Sequence, residues 1–176
     1  MLHLFVDVLR VNNQDVLFRS FAVYVRPILK YCSAVWNPGY LCDITKIESV
    51  QRRFTKRLKG FHSLSYVDRL KTLNTESLEL RHLKTDLVTM YKILFTSSFA
   101  VDRFSLVQLY DNVYSTRGHN FRLIKQHHAV NCYSNSFVDR TVNVWNALPA
   151  SAFDCNSVSG FKRFLVDCDL SQFLWQ

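Results

Sequence analysis

Residues 77–94 read SLELRHLKTDLVTMYKIL and carry apolar side chains at intervals of three and four residues. That interval places the side chains on one face of an α-helix. We therefore predict a long helix that begins at Ser77, and expect helices to dominate the fold. The apolar positions of this helix are Leu80, Leu83, Leu87, Met90, Tyr91 and Leu94.

A second amphipathic helix is predicted over residues 44–59, with Asp43 as its N-cap. Six cations against the single Glu48 give this stretch +5 of the chain's net charge of +8. One side of the helical wheel carries apolar residues and the other carries cations. The apolar side comprises Ile44, Ile47, Val50, Phe54 and Leu58, and the cationic side comprises Lys46, Arg52, Arg53, Lys56, Arg57 and Lys59.

Capping and helix-breaking residues outline two further helices in the first half. Asn13 can cap a helix from Gln14, and Pro27 should end or kink that helix. Ser65 with Asp68 resembles a capping box, which predicts a short helix after it.

The C-terminal third combines helices with a small β-hairpin. Ser136 and Ser157 are expected to begin helices, and Trp145 to lie on the buried face of the first. Residues 121–125 alternate in part, and residues 130–133 could pair with them as the second strand. The predicted class is mainly α, a helical bundle-like segment with a β-hairpin near its end. Trp36 and Trp175 are also expected to be core residues.

The predicted domain organisation has three parts. A helical, basic region covers residues 1–100, a linker covers 101–111, and a small α+β region covers 112–176. The chain has 48% hydrophobic residues, only 4 Gly and 3 Pro, and 5 Cys without close pairs. This composition favours long helices and reduced thiols. The cysteine pattern, together with the lack of a recognisable secretory signal, predicts an intracellular protein, nuclear or cytoplasmic. No stretch is apolar enough for a membrane span.

Catalytic, metal and cofactor sites are not predicted. Asp167 and Asp169 are the closest approach to a paired carboxylate site, and a helix end is the simpler explanation. A zinc site would need His119, His127, His128 and Cys132, whose spacing matches no standard zinc motif. No glycine-rich phosphate loop or nucleophile elbow occurs.

The cations of residues 44–59 are the best candidate binding site. Arg52, Arg53, Lys56 and Arg57 could neutralise nucleic-acid phosphates, which would be a contact independent of base sequence. The alternative is a solvated helix face. Arg117 and His119 are a second, weaker candidate, for which a tight turn is the alternative.

Eight short motifs along residues 17–165 resemble, in this order, one region of jockey-like non-LTR (LINE-type) retrotransposons. That region lies downstream of the reverse transcriptase palm in these transposable elements. The motifs are LFRSFAVYVRPILKY (17–31), VWNP (35–38), KIESVQRRF (46–54), LSYVDRL (64–70), YKIL (91–94), TRGH (116–119), VNVWNALP (142–149) and SVSGFKRFL (157–165).

The resemblance implies a thumb-like or post-thumb segment of an RNA-directed DNA polymerase that lacks the catalytic palm. Such a segment would bind RNA or an RNA–DNA hybrid, and the missing reverse transcriptase core could be a partner. The alternative is a non-catalytic structural or protein-interaction module, the relic of a decayed element.

Overall fold

The computed structural model of the chain describes residues 13–96, 106–110, 119–126 and 135–175. These residues fall into two compact units, the first within residues 1–33 and 40–81 and the second within residues 34–39 and 82–176. The described helices are α1 (Gln14–Ser20), a π-helical turn (Phe21–Val25), α2 (Arg26–Lys30), α3 (Ser33–Trp36), α4 (Leu41–Arg57), α5 (Tyr66–Thr72), α6 (Leu78–Phe95), α7 (Phe137–Ala147) and α8 (Val158–Asp167), with 3₁₀ turns at Ala150–Phe153 and Ser171–Phe173. The mainly α part of the prediction is confirmed. The predicted linker lies partly outside the described residues, and the three-part division stays a prediction.

The first helix begins as predicted, because the Asn13 side chain accepts a hydrogen bond from the Asp15 amide at 3.0 Å. Pro27 does not end the helical path. A π-helical turn precedes it, and Pro27 then falls in the first turn of α2. An amide is not needed for an intrahelical bond there, so the proline is accommodated. The path ends before Cys32, whose φ is 52°.

Helices α4, α5 and α6 follow the predicted pattern with shifted ends. Helix α4 begins at Leu41, so Asp43 lies in its first turn and is not the N-cap. Ser65 caps α5, as predicted, by accepting a hydrogen bond from the Asp68 amide at 3.2 Å. The long helix α6 is confirmed, and four of its predicted apolar positions are buried, Leu87, Met90, Tyr91 and Leu94. Leu80 and Leu83 are only half-buried, and Leu78, which was not predicted to face the core, is 1% exposed.

Trp145 of α7 is the largest fully buried side chain of the second unit, with 0% of its surface exposed. Its indole Nε1 donates a hydrogen bond to the Phe121 carbonyl at 2.8 Å, and its ring centroid lies 5.0 Å from that of Phe153. The prediction for Trp145 is confirmed. The same prediction is wrong for Trp36 and Trp175, which are 41% and 60% exposed.

The predicted β-hairpin is wrong, because the described residues contain no β-strand. Leu123 instead forms one isolated antiparallel bridge with Leu109. The Leu123 amide donates to Asn146 Oδ1 at 2.9 Å, and the Leu123 carbonyl accepts from Asn146 Nδ2 at 2.8 Å. The Asn146 side chain thus forms hydrogen bonds with the Leu123 amide and carbonyl, the two backbone groups that a second strand would pair with. Residues 130–133 lie outside the described residues.

A buried ion pair joins three segments of the second unit. Arg140 Nε of α7 donates to Asp86 Oδ2 of α6 at 2.8 Å, and Arg140 Nη2 donates to the Ala34 carbonyl at 2.7 Å. Asn37 Nδ2 donates to Asp86 Oδ2 at 3.4 Å. Burial raises the pKa of Asp86, and the Arg140 guanidinium opposes that rise. Residues 34–37 are therefore held by hydrogen bonds to α6 and α7.

Within the described ranges, no helix combines the length and the apolar character that crossing a membrane requires.

Replacing Trp145 by Ala should lower the free energy of unfolding by ~3–5 kcal/mol, because it leaves a cavity and removes the bond to Phe121. Chemical denaturation followed by circular dichroism measures the loss. The exposed Trp175 gives a matched control, since Trp175→Ala should cost far less. Equal losses in the two variants would contradict the assigned role of Trp145.

Candidate nucleic-acid interface

The orientation of α4 is determined by a buried carboxylate. Glu48 is 7% exposed, and its two oxygens accept hydrogen bonds from the amides of Leu78 and Glu79 at 3.2 and 3.1 Å. These are the first two amides of α6, which have no partner within their own helix. The Tyr66 hydroxyl also donates to Glu48. A negative group at a helix N-terminus also interacts favourably with the helix dipole. Glu48 therefore joins α4 to the start of α6.

Gln51 reinforces the same face of α4. Its side-chain Nε2 donates to the Glu76 carbonyl at 3.0 Å and to the Tyr66 hydroxyl at 3.2 Å. Gln51 and Thr55 are both 0% exposed. Phe54 stacks on Phe21 with ring centroids 4.3 Å apart.

The predicted apolar side of α4 is thus only partly right. Leu58 is buried, but Val50 is 38% exposed, and the buried residues within α4 itself are Glu48, Gln51 and Thr55. The burial of Glu48 and Gln51 was not predicted, because only apolar residues were assigned to the buried side of the helix. Their spacing with Leu58 gave a usable signal, since positions 48, 51, 55 and 58 repeat at helical intervals.

The four candidate cations lie on the other side of α4. Arg52, Arg53, Lys56 and Arg57 are all exposed. Within the described ranges, the side chains of Arg53, Lys56 and Arg57 have no hydrogen-bond or ion-pair partner. The guanidinium carbon of Arg52 lies 5.0 Å from the Tyr66 ring centroid, so Arg52 stacks on an aromatic side chain.

The arrangement of these cations places like charges close together. Arg52 with Lys56, and Arg53 with Arg57, are i,i+4 pairs separated by about 6 Å along the helix axis. Like-charge pairs at this spacing destabilise an isolated helix by ~0.2–0.5 kcal/mol each. Residues 49–59 include no Asp or Glu that would offset the repulsion. The helix C-terminus favours cations and offsets part of it, and an anionic ligand would offset the remainder.

The second candidate pair has a different setting. Arg117 lies outside the described residues. His119 is 3% exposed, its Nε2 donates to the Trp145 carbonyl at 3.0 Å, and its Nδ1 accepts from the Phe121 amide at 3.2 Å. Burial lowers the pKa of His119, the Trp145 carbonyl opposes that effect, and Arg122 adds to it. Both ring nitrogens are therefore used within the fold, and the contact of His119 with nucleic acid stays a prediction.

The structure brings together two of the sequence motifs at this point. His119 of the TRGH motif and Trp145 of the VNVWNALP motif are linked by the hydrogen bond between them. Phe153 packs against both, with ring centroids 4.2 Å from His119 and 5.0 Å from Trp145. The two motifs therefore build one part of the core of the second unit.

Among the residues that the structure describes, no group of three or more His, Cys, Asp or Glu side chains could hold a metal ion. Three of the four residues weighed for zinc, His127, His128 and Cys132, lie outside those residues. Asp167 is the last residue of α8, and Asp169 Oδ1 accepts a hydrogen bond from the Ser171 amide at 2.9 Å. Asp169 thus stabilises the following 3₁₀ turn.

Comparison with known proteins gives little support for a family assignment. No family model and no solved structure matches the chain. An uncharacterized protein of Caenorhabditis elegans is 30% identical over 88 residues, which is 48% of this chain. The match spans 44% of that protein's length, less than half of it.

Glu48→Gln should lower the free energy of unfolding by ~1–3 kcal/mol, because the amide NH₂ would face an α6 backbone amide that needs an acceptor. Denaturant unfolding measures this loss. Asp43→Asn removes the same charge from the same helix at an exposed ion pair with Lys46 and should have a smaller effect. Equal stability of parent and Glu48→Gln would contradict the capping role.

The buried His119 should make stability depend on pH. Its folded-state pKa lies below that of the unfolded chain, ~6.5. Below pH ~6.5 the unfolded chain therefore binds a proton that the folded chain excludes, so stability is complete above this pH and falls as pH decreases. Unfolding measured between pH ~7.5 and ~5 should show that loss.

The His119→Gln variant should be less stable than the parent at pH ~7.5 and should show a weaker pH dependence. His62→Gln is the matched control, because His62 is exposed and its ring stays in water in both states. A pH dependence unchanged in His119→Gln would mean that another group causes it.

Proposed function

We propose that this chain is a non-catalytic segment that binds RNA or an RNA–DNA hybrid through Arg52, Arg53, Lys56 and Arg57 of α4. The observation that carries the proposal is the division of α4 into two faces. One face is held by Glu48 and Gln51, and the other exposes cations without acidic partners among the described residues. A helix that is held by one face and exposes cations on the other is suited to phosphate binding.

The distribution of charge along the chain supports this proposal. Residues 1–33 and 40–81, which include the first unit, contain thirteen Lys and Arg against seven Asp and Glu, a net +6 of the chain's +8. Binding to phosphates releases condensed counterions and provides affinity without reading bases. The expected contact is therefore salt-sensitive and nearly independent of nucleic-acid sequence.

The resemblance of the eight motifs to LINE-type retrotransposons supports the choice of partner. In that interpretation the chain would correspond to the thumb or post-thumb region of an RNA-directed DNA polymerase, with the palm absent. It would help to hold the template RNA and the primer DNA. The reverse transcriptase core is the protein partner that follows, and the location would be nuclear or cytoplasmic.

A second candidate function is a helical module for protein interaction, the relic of a decayed element. Its support is an exposed apolar surface on the N-terminal helices of the first unit. Tyr24, Ile28 and Tyr31 are 64%, 67% and 77% exposed. Apolar side chains exposed together are typical of protein interfaces. Salt separates the two functions, because an apolar interface does not weaken steeply as salt rises.

The test replaces Arg53, Lys56 and Arg57 by Gln and leaves Arg52 on Tyr66. Binding of the full chain to single-stranded RNA is measured at several salt concentrations. The slope of log K against log salt should flatten by ~0.7 for each phosphate that the variant no longer neutralises. The fold should persist, because Gln has good helix propensity and the buried face of α4 is unchanged. Circular dichroism checks the fold.

A matched variant removes two exposed cations of the first unit outside α4, through Arg19→Gln and Lys71→Gln, and is compared with the double variant Arg53→Gln/Arg57→Gln. The two double variants remove the same amount of charge, and the control should keep a slope close to that of the parent. If both variants flatten the slope equally, net charge alone explains binding. If neither does, the cationic face of α4 is only solvated and the structural alternative is favoured.

A further inference from the structure

A basic groove of about 320 Å³ lies between α6 and α8, entirely within the second unit. Lys84, Val88 and Lys92 line it from α6, and Lys162 and Leu165 line it from α8. The described residues that line the groove include no Asp or Glu. We call this surface the lysine groove. Three ammonium groups around one open cleft, without a carboxylate, favour an anionic ligand.

Two of the three lysines are available to a ligand. The side chains of Lys92 and Lys162 make no hydrogen bond or ion pair with any residue that the structure describes. Lys84 differs, because it already interacts with another group, and it lies within electrostatic reach of Cys168, the residue directly after α8. Lys84 therefore lies near the C-terminus of α8, where the helix dipole favours a cation. The argument for a ligand accordingly depends on Lys92 and Lys162.

The spacing of the lysines indicates the shape of the ligand. Lys84 and Lys92 are eight residues apart on α6, which is about 12 Å along the helix axis. Cations spread along the groove match the successive phosphates of an extended strand, with Lys92 and Lys162 as the contacts and Lys84 adding positive charge nearby. The Thr89 hydroxyl donates to the Thr85 carbonyl at 2.8 Å and is not a free donor. The ammonium groups, which act as point charges, are left as the main contacts.

We propose that the lysine groove binds the phosphodiester backbone of a nucleic-acid strand as a second contact, distinct from the cations of α4. This inference rests on the proposed function for the identity of the ligand. It extends that function by assigning a phosphate-binding surface to the second unit, whose part of the sequence has a net charge of only +2, from nine Lys and Arg against seven Asp and Glu. Because the net charge of this unit is small, any attraction of an anionic ligand must come from the local clustering of the lysines.

The test is the double variant Lys92→Gln/Lys162→Gln in the full chain, with an oligouridylate RNA as the probe. The slope of log K against log salt should flatten by up to ~1.4, at ~0.7 for each phosphate no longer neutralised. A matched variant, Lys125→Gln/Arg163→Gln, removes two exposed cations of the second unit that do not line the groove. Its slope should stay close to that of the parent.

Three further measurements make the result decisive. The variant Lys92→Arg/Lys162→Arg keeps both charges and should keep the parental slope, which separates loss of charge from loss of fold. Circular dichroism checks each variant. Titration with a nucleoside triphosphate tests whether the groove takes a compact polyphosphate instead of a strand. Triphosphate binding that is abolished in the Gln variant, with an unchanged RNA slope, would overturn the proposed ligand.

The two sites can fail independently. An unchanged RNA slope in the folded Lys92→Gln/Lys162→Gln variant overturns the lysine groove, whatever the α4 variant does. A slope that flattens only in this variant, and not in the α4 triple variant, supports the groove and contradicts the function proposed for α4. Equal flattening in the groove variant and its matched control attributes the effect to net charge and also overturns the groove.

Discussion

The carboxylate of Glu48 is the constraint on which the first unit and its candidate site depend. It satisfies the two leading amides of α6 and accepts the hydroxyl of Tyr66, so three elements of the first unit meet at one side chain. A buried carboxylate is costly unless it is well hydrogen-bonded, and here two backbone amides and a hydroxyl meet that requirement. With this face of α4 occupied, Arg53, Lys56 and Arg57 are left to solvent.

Buried polar groups also organise the second unit. Arg140 donates hydrogen bonds to Asp86 and to the Ala34 carbonyl. His119 joins the Trp145 carbonyl to the Phe121 amide. The Asn146 side chain accepts a hydrogen bond from the Leu123 amide. Each of these side chains satisfies backbone groups of a segment distant in sequence, which would otherwise be buried without partners. Several of the motifs thus have a structural explanation: they hold non-helical segments against the helices of this unit.

The packing roles of these motifs separate residues that build the core from residues that are available to a ligand. A motif that builds the core needs no ligand to account for it, and His119 and Trp145 belong to this group. Arg53, Lys56 and Arg57 of α4 differ, because they are exposed, lie close to one another and have no partner among the described residues. The side chains of Lys92 and Lys162 in the lysine groove are similar in lacking partners among the described residues. A ligand would therefore bind to these cations, and the motifs that build the core would not contact it.

The sequence by itself determined the helices, because apolar periodicity and capping residues act over short distances. The α6 repeat and the caps at Asn13, Ser65, Ser136 and Ser157 all appear in the structure. The exposed cations of α4 were likewise readable from the helical wheel. Only the tertiary structure decided that Glu48 and Gln51 are buried, that Asn146 replaces a strand partner, and that His119 lies inside. Each of these outcomes depends on a backbone group tens of residues away along the chain, and local pattern carries no information on which distant amide or carbonyl a side chain will meet.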